Sequence, residues 1–98
     1  MKIEQVHAED WQQWVAEHDG VIIDVREPVE WAQGTLPGSR TIPLMELPAH
    51  LDELDTATPL LIVCRSGNRS QHAARYLASQ GYQAANLRGG LKKLGMAR

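Results

Sequence analysis

Leu60-Leu61-Ile62-Val63 is apolar at every position, and Val21-Ile22-Ile23-Asp24-Val25 is broken only by one aspartate. A strand with one wet face alternates polar and apolar residues, and these runs do not alternate. They read as short parallel strands covered on both faces. The intervening segments carry helical spacing. Ala8 to Glu17 puts Ala8, Trp11 and Val15 on one face with Trp14 beside it, and Asp19-Gly20 ends it. Glu46 to Leu54 carries Leu47, Leu51 and Leu54 at helical intervals, and Thr58-Pro59 stops it. Ser70 to Ser79 reads as a helix closed by Gln80-Gly81, and Pro28 to Ala32 as a short one with proline near its first turn. Ile3 to Val6, Arg40 to Ile42 and Gln83 to Leu87 are the remaining strand candidates. Gln33 to Ser39 is turn-rich, and Gly90 to Leu94 suits a helical turn. Strands alternating with helices predict an α/β fold of three layers, a central parallel sheet of about five short strands between helices. There is no repeat, linker or low-complexity tract, so the expectation is one domain over residues 1–98.

Cys64 stands where the Leu60–Val63 run ends, and it opens Cys64-Arg65-Ser66-Gly67-Asn68-Arg69-Ser70 ahead of a helix. Ligands of open parallel sheets sit beyond the C-terminal ends of the strands. The first amides of a helix lack intrahelical partners and, with the helix dipole, suit anions. Gly67 permits a backbone that a Cβ would obstruct, and Asn68 tolerates left-handed geometry. Arg65 and Arg69 offer cationic forks for tetrahedral oxyanions. Amides, dipole and guanidinium groups together favour a thiolate, so Cys64 is a candidate nucleophile and the residues from Arg65 to Arg69 its anion cradle. The alternative is a strand-end cysteine that packs as a small hydrophobe. Two arginines, a glycine and a following helix weigh against it.

Composition closes off several classes. A net charge of −2 does not suit a general nucleic-acid or membrane-surface binder. No apolar stretch approaches the ~20 residues of a membrane-spanning helix, and Met1-Lys2-Ile3-Glu4 lacks the apolar core of a secretory signal. A single cysteine forms no internal disulfide, which fits a reducing compartment, so the expected location is the cytoplasm. His7, His18, His50 and His72 have no metal-site spacing with Cys64, and no metal or cofactor is expected. His72 lies in the helix after the loop, but a solvent-facing position explains it more simply. Asp24 and Arg26 share one face of a strand end, where an ion pair would brace the loop.

Around Cys64 the chain resembles the single-domain rhodanese family of sulfurtransferases. Ile22-Ile23-Asp24-Val25-Arg26-Glu27-Pro28-Val29-Glu30-Trp31 resembles the family's early Asp-Val-Arg-Glu stretch. Gly34-Thr35-Leu36-Pro37-Gly38-Ser39 with Ile42-Pro43 is similar to its Gly-His-Ile-Pro-Gly-Ala stretch, and Gly81-Tyr82 with Leu87-Arg88-Gly89-Gly90 to its closing pattern. The blocks fall in the family's order and span nearly the whole chain. The resemblance implies a three-layer rhodanese-like fold in which Cys64 accepts sulfane sulfur from a thiosulfate-like donor. The persulfide would then pass sulfur to a thiol, a thioredoxin-like protein or cyanide. Arg65, Ser66, Gly67, Asn68 and Arg69 would hold the donor, and Asp24 and Arg26 would support the loop. Two positions depart from the pattern: Thr35 replaces the usual histidine, and Leu94 an aromatic often found beyond the two glycines.

Three other readings share the thiolate cradle or the fold. A phosphatase or arsenate reductase also sets a cysteine before a helix, but the phosphatase loop is one residue longer and would hold arginine where Ser70 stands. A binding module of this fold would have no need of Cys64 and its loop arginines. A carrier loaded by a protein donor would use the same persulfide chemistry.

Overall fold

The computed structural model describes residues 2–97. Five parallel strands form one sheet, β1 (Glu4–His7), β2 (Val21–Asp24), β3 (Arg40–Thr41), β4 (Leu60–Val63) and β5 (Ala84–Arg88), in the order β1-β5-β4-β2-β3. The two most apolar runs pair directly, with Val21 opposite Leu60 and Asp24 opposite Val63. β4 sits at the centre, between β2 and β5. All four of its residues are buried, which explains why none is polar.

Alternation along the strands fills two cores. Ile23, Leu60, Ile62 and Cys64 point to one side, where Ala73, Ala74 and Leu77 of α4 (Asn68–Ser79) cover them. Leu47 of α3 (Leu47–His50) joins the same cluster. Ile22, Leu61, Val63, Ala85 and Leu87 point to the other side, under Trp14 of α1 (Trp11–His18) and Leu91. The three-layer expectation is met. Cys64 thus continues the buried row of β4.

Several boundaries differ from those the periodicity predicts. The first strand runs one residue later, Glu4–His7, and the last one Ala84–Arg88. Ala8–Asp10 is a 3-10 turn ahead of α1, and Trp14, rather than Trp11 or Val15, is the most buried residue of that helix. Its indole stacks on His18 with centroids 4.3 Å apart and donates to Glu4 at 3.1 Å. The expected helix over 46–54 is instead a 3-10 turn at Leu44–Glu46, the four-residue α3 and a second 3-10 turn at Leu51–Glu53. Pro48 is the physical reason at its start: lacking N–H, proline fits a first helical turn but not an interior. α4 begins two residues before Ser70, so Asn68 and Arg69 are helical. α2 (Pro28–Trp31) opens with a capping box, in which Glu27 accepts from the Glu30 amide and Glu30 from the Glu27 amide. Among the described residues no helix is long and apolar enough to cross a membrane.

Candidate active site

β4 delivers Cys64 to the carboxyl end of the sheet, and the chain turns back over it. The Gly67 amide donates to Cys64 Sγ at 3.1 Å and the Ser70 amide at 3.3 Å. The Ser70 hydroxyl lies 3.2 Å from the same sulfur. Cys64 is fully buried. Its sulfur therefore forms the floor of the loop, facing donors suited to negative charge. Gly67 takes φ +99°, and a Cβ there would lie 3.3 Å from the Gly89 nitrogen. The conformation demands glycine, and the space beside it is tight. The left-handed position is thus Gly67, while Asn68 is the first residue of α4.

The segment after β5 supports this loop. The Leu91 amide donates to the Cys64 carbonyl and the Lys92 amide to the Arg65 carbonyl, both at 2.9 Å. Gly90 is where the two backbones meet, and a Cβ there would collide with the Arg65 carbonyl.

Arg65, Ser66 and Asn68 are exposed along the rim. Arg69 is engaged differently from the expectation of a cation aimed at the donor. Its guanidinium grips Glu30 through both terminal nitrogens, at 2.6 and 2.9 Å. The Arg69 hydrogen bond is the main reason the Glu30 carboxyl falls from its ordinary 4.5 to about 2, against the opposing effect of burial. Arg69 is in turn raised, first by its bond to Glu30, with burial opposing and the charges of Glu30, Cys64 and Asp24 adding to the rise. Its charge is still felt at the sulfur, while two of its five donors are held by Glu30.

Asp24 and Arg26 form a wholly buried ion pair. Arg26 Nε and a terminal nitrogen reach the carboxylate at 2.8–3.1 Å, and the Arg26 amide adds a bond of 3.0 Å. Two further guanidinium hydrogens go to the carbonyls of Glu30 at 3.3 Å and Gly34 at 2.6 Å. The pair therefore fixes the main chain of α2, which carries Glu30 to Arg69.

Glu30, Ser70, Asn86 and Gln5 are the side chains that pattern reading passes over. Ser70 donates to Asn86 Oδ1, Asn86 Nδ2 donates to Gln5 Oε1 at 2.9 Å, and Gln5 Nε2 reaches Gln71 Oε1 at 2.7 Å. A buried asparagine inside Ala84-Ala85-Asn86-Leu87 was the one sequence signal. Beside the loop lies an open cleft of about 320 Å³ lined by Gln5, Ser66, Asn68, Gln71, Asn86 and Arg88. His72 is exposed on α4.

The profile of the Rhodanese-like domain family matches residues 7–97. The chain belongs to the rhodanese-like family. This rhodanese-like chain is similar to a protein named sulfurtransferase from Allochromatium vinosum, 36% identical over 91% of this chain and 85% of the relative. It is also similar to the thiosulfate sulfurtransferase GlpE of Stutzerimonas stutzeri, 38% identical over 74% of this chain and 67% of the relative. Among solved structures, Bacillus anthracis CoADR-RHD superposes with a TM-score of 0.88 at 38% identity over 96% of this chain. This chain spans 17% of that larger protein. The rhodanese-like domain's two departures lie off the thiol: Thr35 is half-buried after Gly34, and Leu94 packs against the second core.

Proposed function

We propose that this rhodanese-like chain is a sulfurtransferase that works through a persulfide on Cys64. The observation that supports it best is the buried Cys64 sulfur receiving the Gly67 and Ser70 amides at the end of the central strand. The Cys64 thiolate attacks the outer sulfur of thiosulfate. A bond forms between the two sulfurs, the donor's S–S bond breaks, and sulfite leaves with its electron pair. A thiolate acceptor, a thioredoxin-like protein or cyanide then attacks the outer sulfur, and Cys64 leaves as thiolate. The chain has one cysteine, so the second thiol comes from outside these 98 residues. The outer persulfide sulfur carries the charge, and the loop amides with Arg65, Ser66 and Asn68 at the rim would face it and the donor. No metal or cofactor enters this chemistry, and the cytoplasm suits a cysteine that must stay reduced.

Intact-protein mass spectrometry after incubation with thiosulfate tests this. One added sulfur atom, removed by a thiol and absent in Cys64→Ser, is the expected result. Cys64→Ser should keep the fold by circular dichroism and lose transfer. Transfer retained by that variant would overturn the assignment. Sulfur taken only from a protein persulfide would replace thiosulfate with a carrier role.

A further inference from the structure

The hydrogen bonds behind Cys64 have a fixed direction. The Ile3 carbonyl can only accept, and Gln5 Nε2 lies 3.1 Å from it. That contact sets which end of the Gln5 amide is nitrogen. Gln5 Oε1 must then face Asn86, which presents Nδ2 to it at 2.9 Å. Asn86 Oδ1 is left facing the Ser70 hydroxyl and can only accept. Ser70 has a single hydroxyl proton, and Asn86 takes it. What Ser70 turns to Cys64 Sγ, at 3.2 Å, is a lone pair. A backbone carbonyl at the first strand thus dictates the polarity of a hydroxyl beside the sulfur.

We infer that Asn86 is a positioning residue for Cys64: by holding the Ser70 hydroxyl proton, it keeps that hydroxyl an acceptor toward the sulfur and restrains the thiolate. The inference rests on Cys64 being the reacting thiol. It opposes the two amide donors, which favour negative sulfur. The balance has a use, because a thiolate loses nucleophilicity as its basicity falls. Once the sulfur is a persulfide the charge sits on the outer atom, and Ser70 need not turn.

The test is the pH titration of thiolate ultraviolet absorbance, with the Cys64→Ser spectrum subtracted. It needs no sulfur donor, so it can succeed where persulfide formation fails, and the reverse. The charged groups around the cradle are Arg65 beside it, Arg69 with Glu30, the Asp24–Arg26 pair, Arg88 on β5, and Lys92 and Lys93 beyond Gly90. None is altered in the variants. Asn86→Leu frees the hydroxyl to donate to sulfur, and the midpoint should fall by about one pH unit, as a hydrogen bond to a charged group warrants. The same substitution in the Ser70→Ala background should shift nothing, because Asn86 acts only through that hydroxyl. Gln5→Leu, at an exposed position, frees Asn86 to turn over and should lower the midpoint by less. An unchanged or raised midpoint in Asn86→Leu, or a fall that persists without the Ser70 hydroxyl, overturns the inference. Should Asn86→Leu fail to fold, an unchanged midpoint in Gln5→Leu overturns it alone.

Discussion

The loop that carries Cys64 is braced on two sides by opposite means. Toward β2 and α2 the braces are charges: Asp24 to Arg26, Arg26 to the α2 main chain, and Glu30 to Arg69. Toward β5 and β1 they are neutral: a hydroxyl and three amides, Ser70, Asn86, Gln5 and Gln71. An ion pair holds one arrangement, since each partner has a fixed sign. A hydroxyl can be donor or acceptor toward the same neighbour. The charged side therefore fixes where the loop lies, and the neutral side fixes which way the hydroxyl points, because Asn86 holds the Ser70 proton.

The widest separation between the two sides should appear in stability. Asp24→Asn leaves the buried Arg26 guanidinium short of its counter-charge and should cost about 3–5 kcal/mol. Denaturant unfolding measures it, and a loss under 1 kcal/mol would mean that the charged brace is not structural. Asn86→Leu should cost only about 1 kcal/mol, because the Ser70 hydroxyl finds a new partner in the sulfur and Gln5 meets water. A loss as large as that of Asp24→Asn would erase the contrast. The smallest effect separates the sides by pH and salt. Glu30 folds with its carboxyl near 2 rather than 4.5. A lowered value stabilises the fold above the unfolded value and is lost as pH falls from about 4.5 toward 2. Glu30→Gln should flatten that part of the stability curve. At neutral pH it should cost no more than about 1 kcal/mol, since Arg69 is a third exposed, and added salt should shrink the difference. A salt-independent difference would argue that Glu30 acts by shape alone.

The same contrast governs what could be read in advance. β4 was legible from end to end, because burial on both faces leaves no position for a polar residue. Cys64 and Gly67 were legible as well, since a strand end, a left-handed turn and a helix start impose local residue types. The segment from Leu44 to Glu53 was not, because leucines at intervals of three and four fit a 3-10 turn as well as an α-helix, and Pro48 marks only where α3 starts. Partners far apart in the chain left no local trace. Glu30 and Arg69 are 39 positions apart and Gln5 and Asn86 are 81 apart. Without Glu30 in view, Arg69 looked like a cation waiting for an anion. The buried Asp24–Arg26 pair was readable because opposite charges two positions apart at a strand end lie toward one face.

The contacts from Leu91 and Lys92 to the loop carbonyls bear on the order in which a ribosome delivers the parts. Cys64 emerges well before Gly90 and Leu91, roughly 1–5 s at ordinary rates of synthesis. During that interval the thiol has its strand but no finished mould around it. The loop's final geometry thus waits for the following strand and its turn, and a chain interrupted between them would carry the Cys64 and Arg65 carbonyls without the amides that hold them.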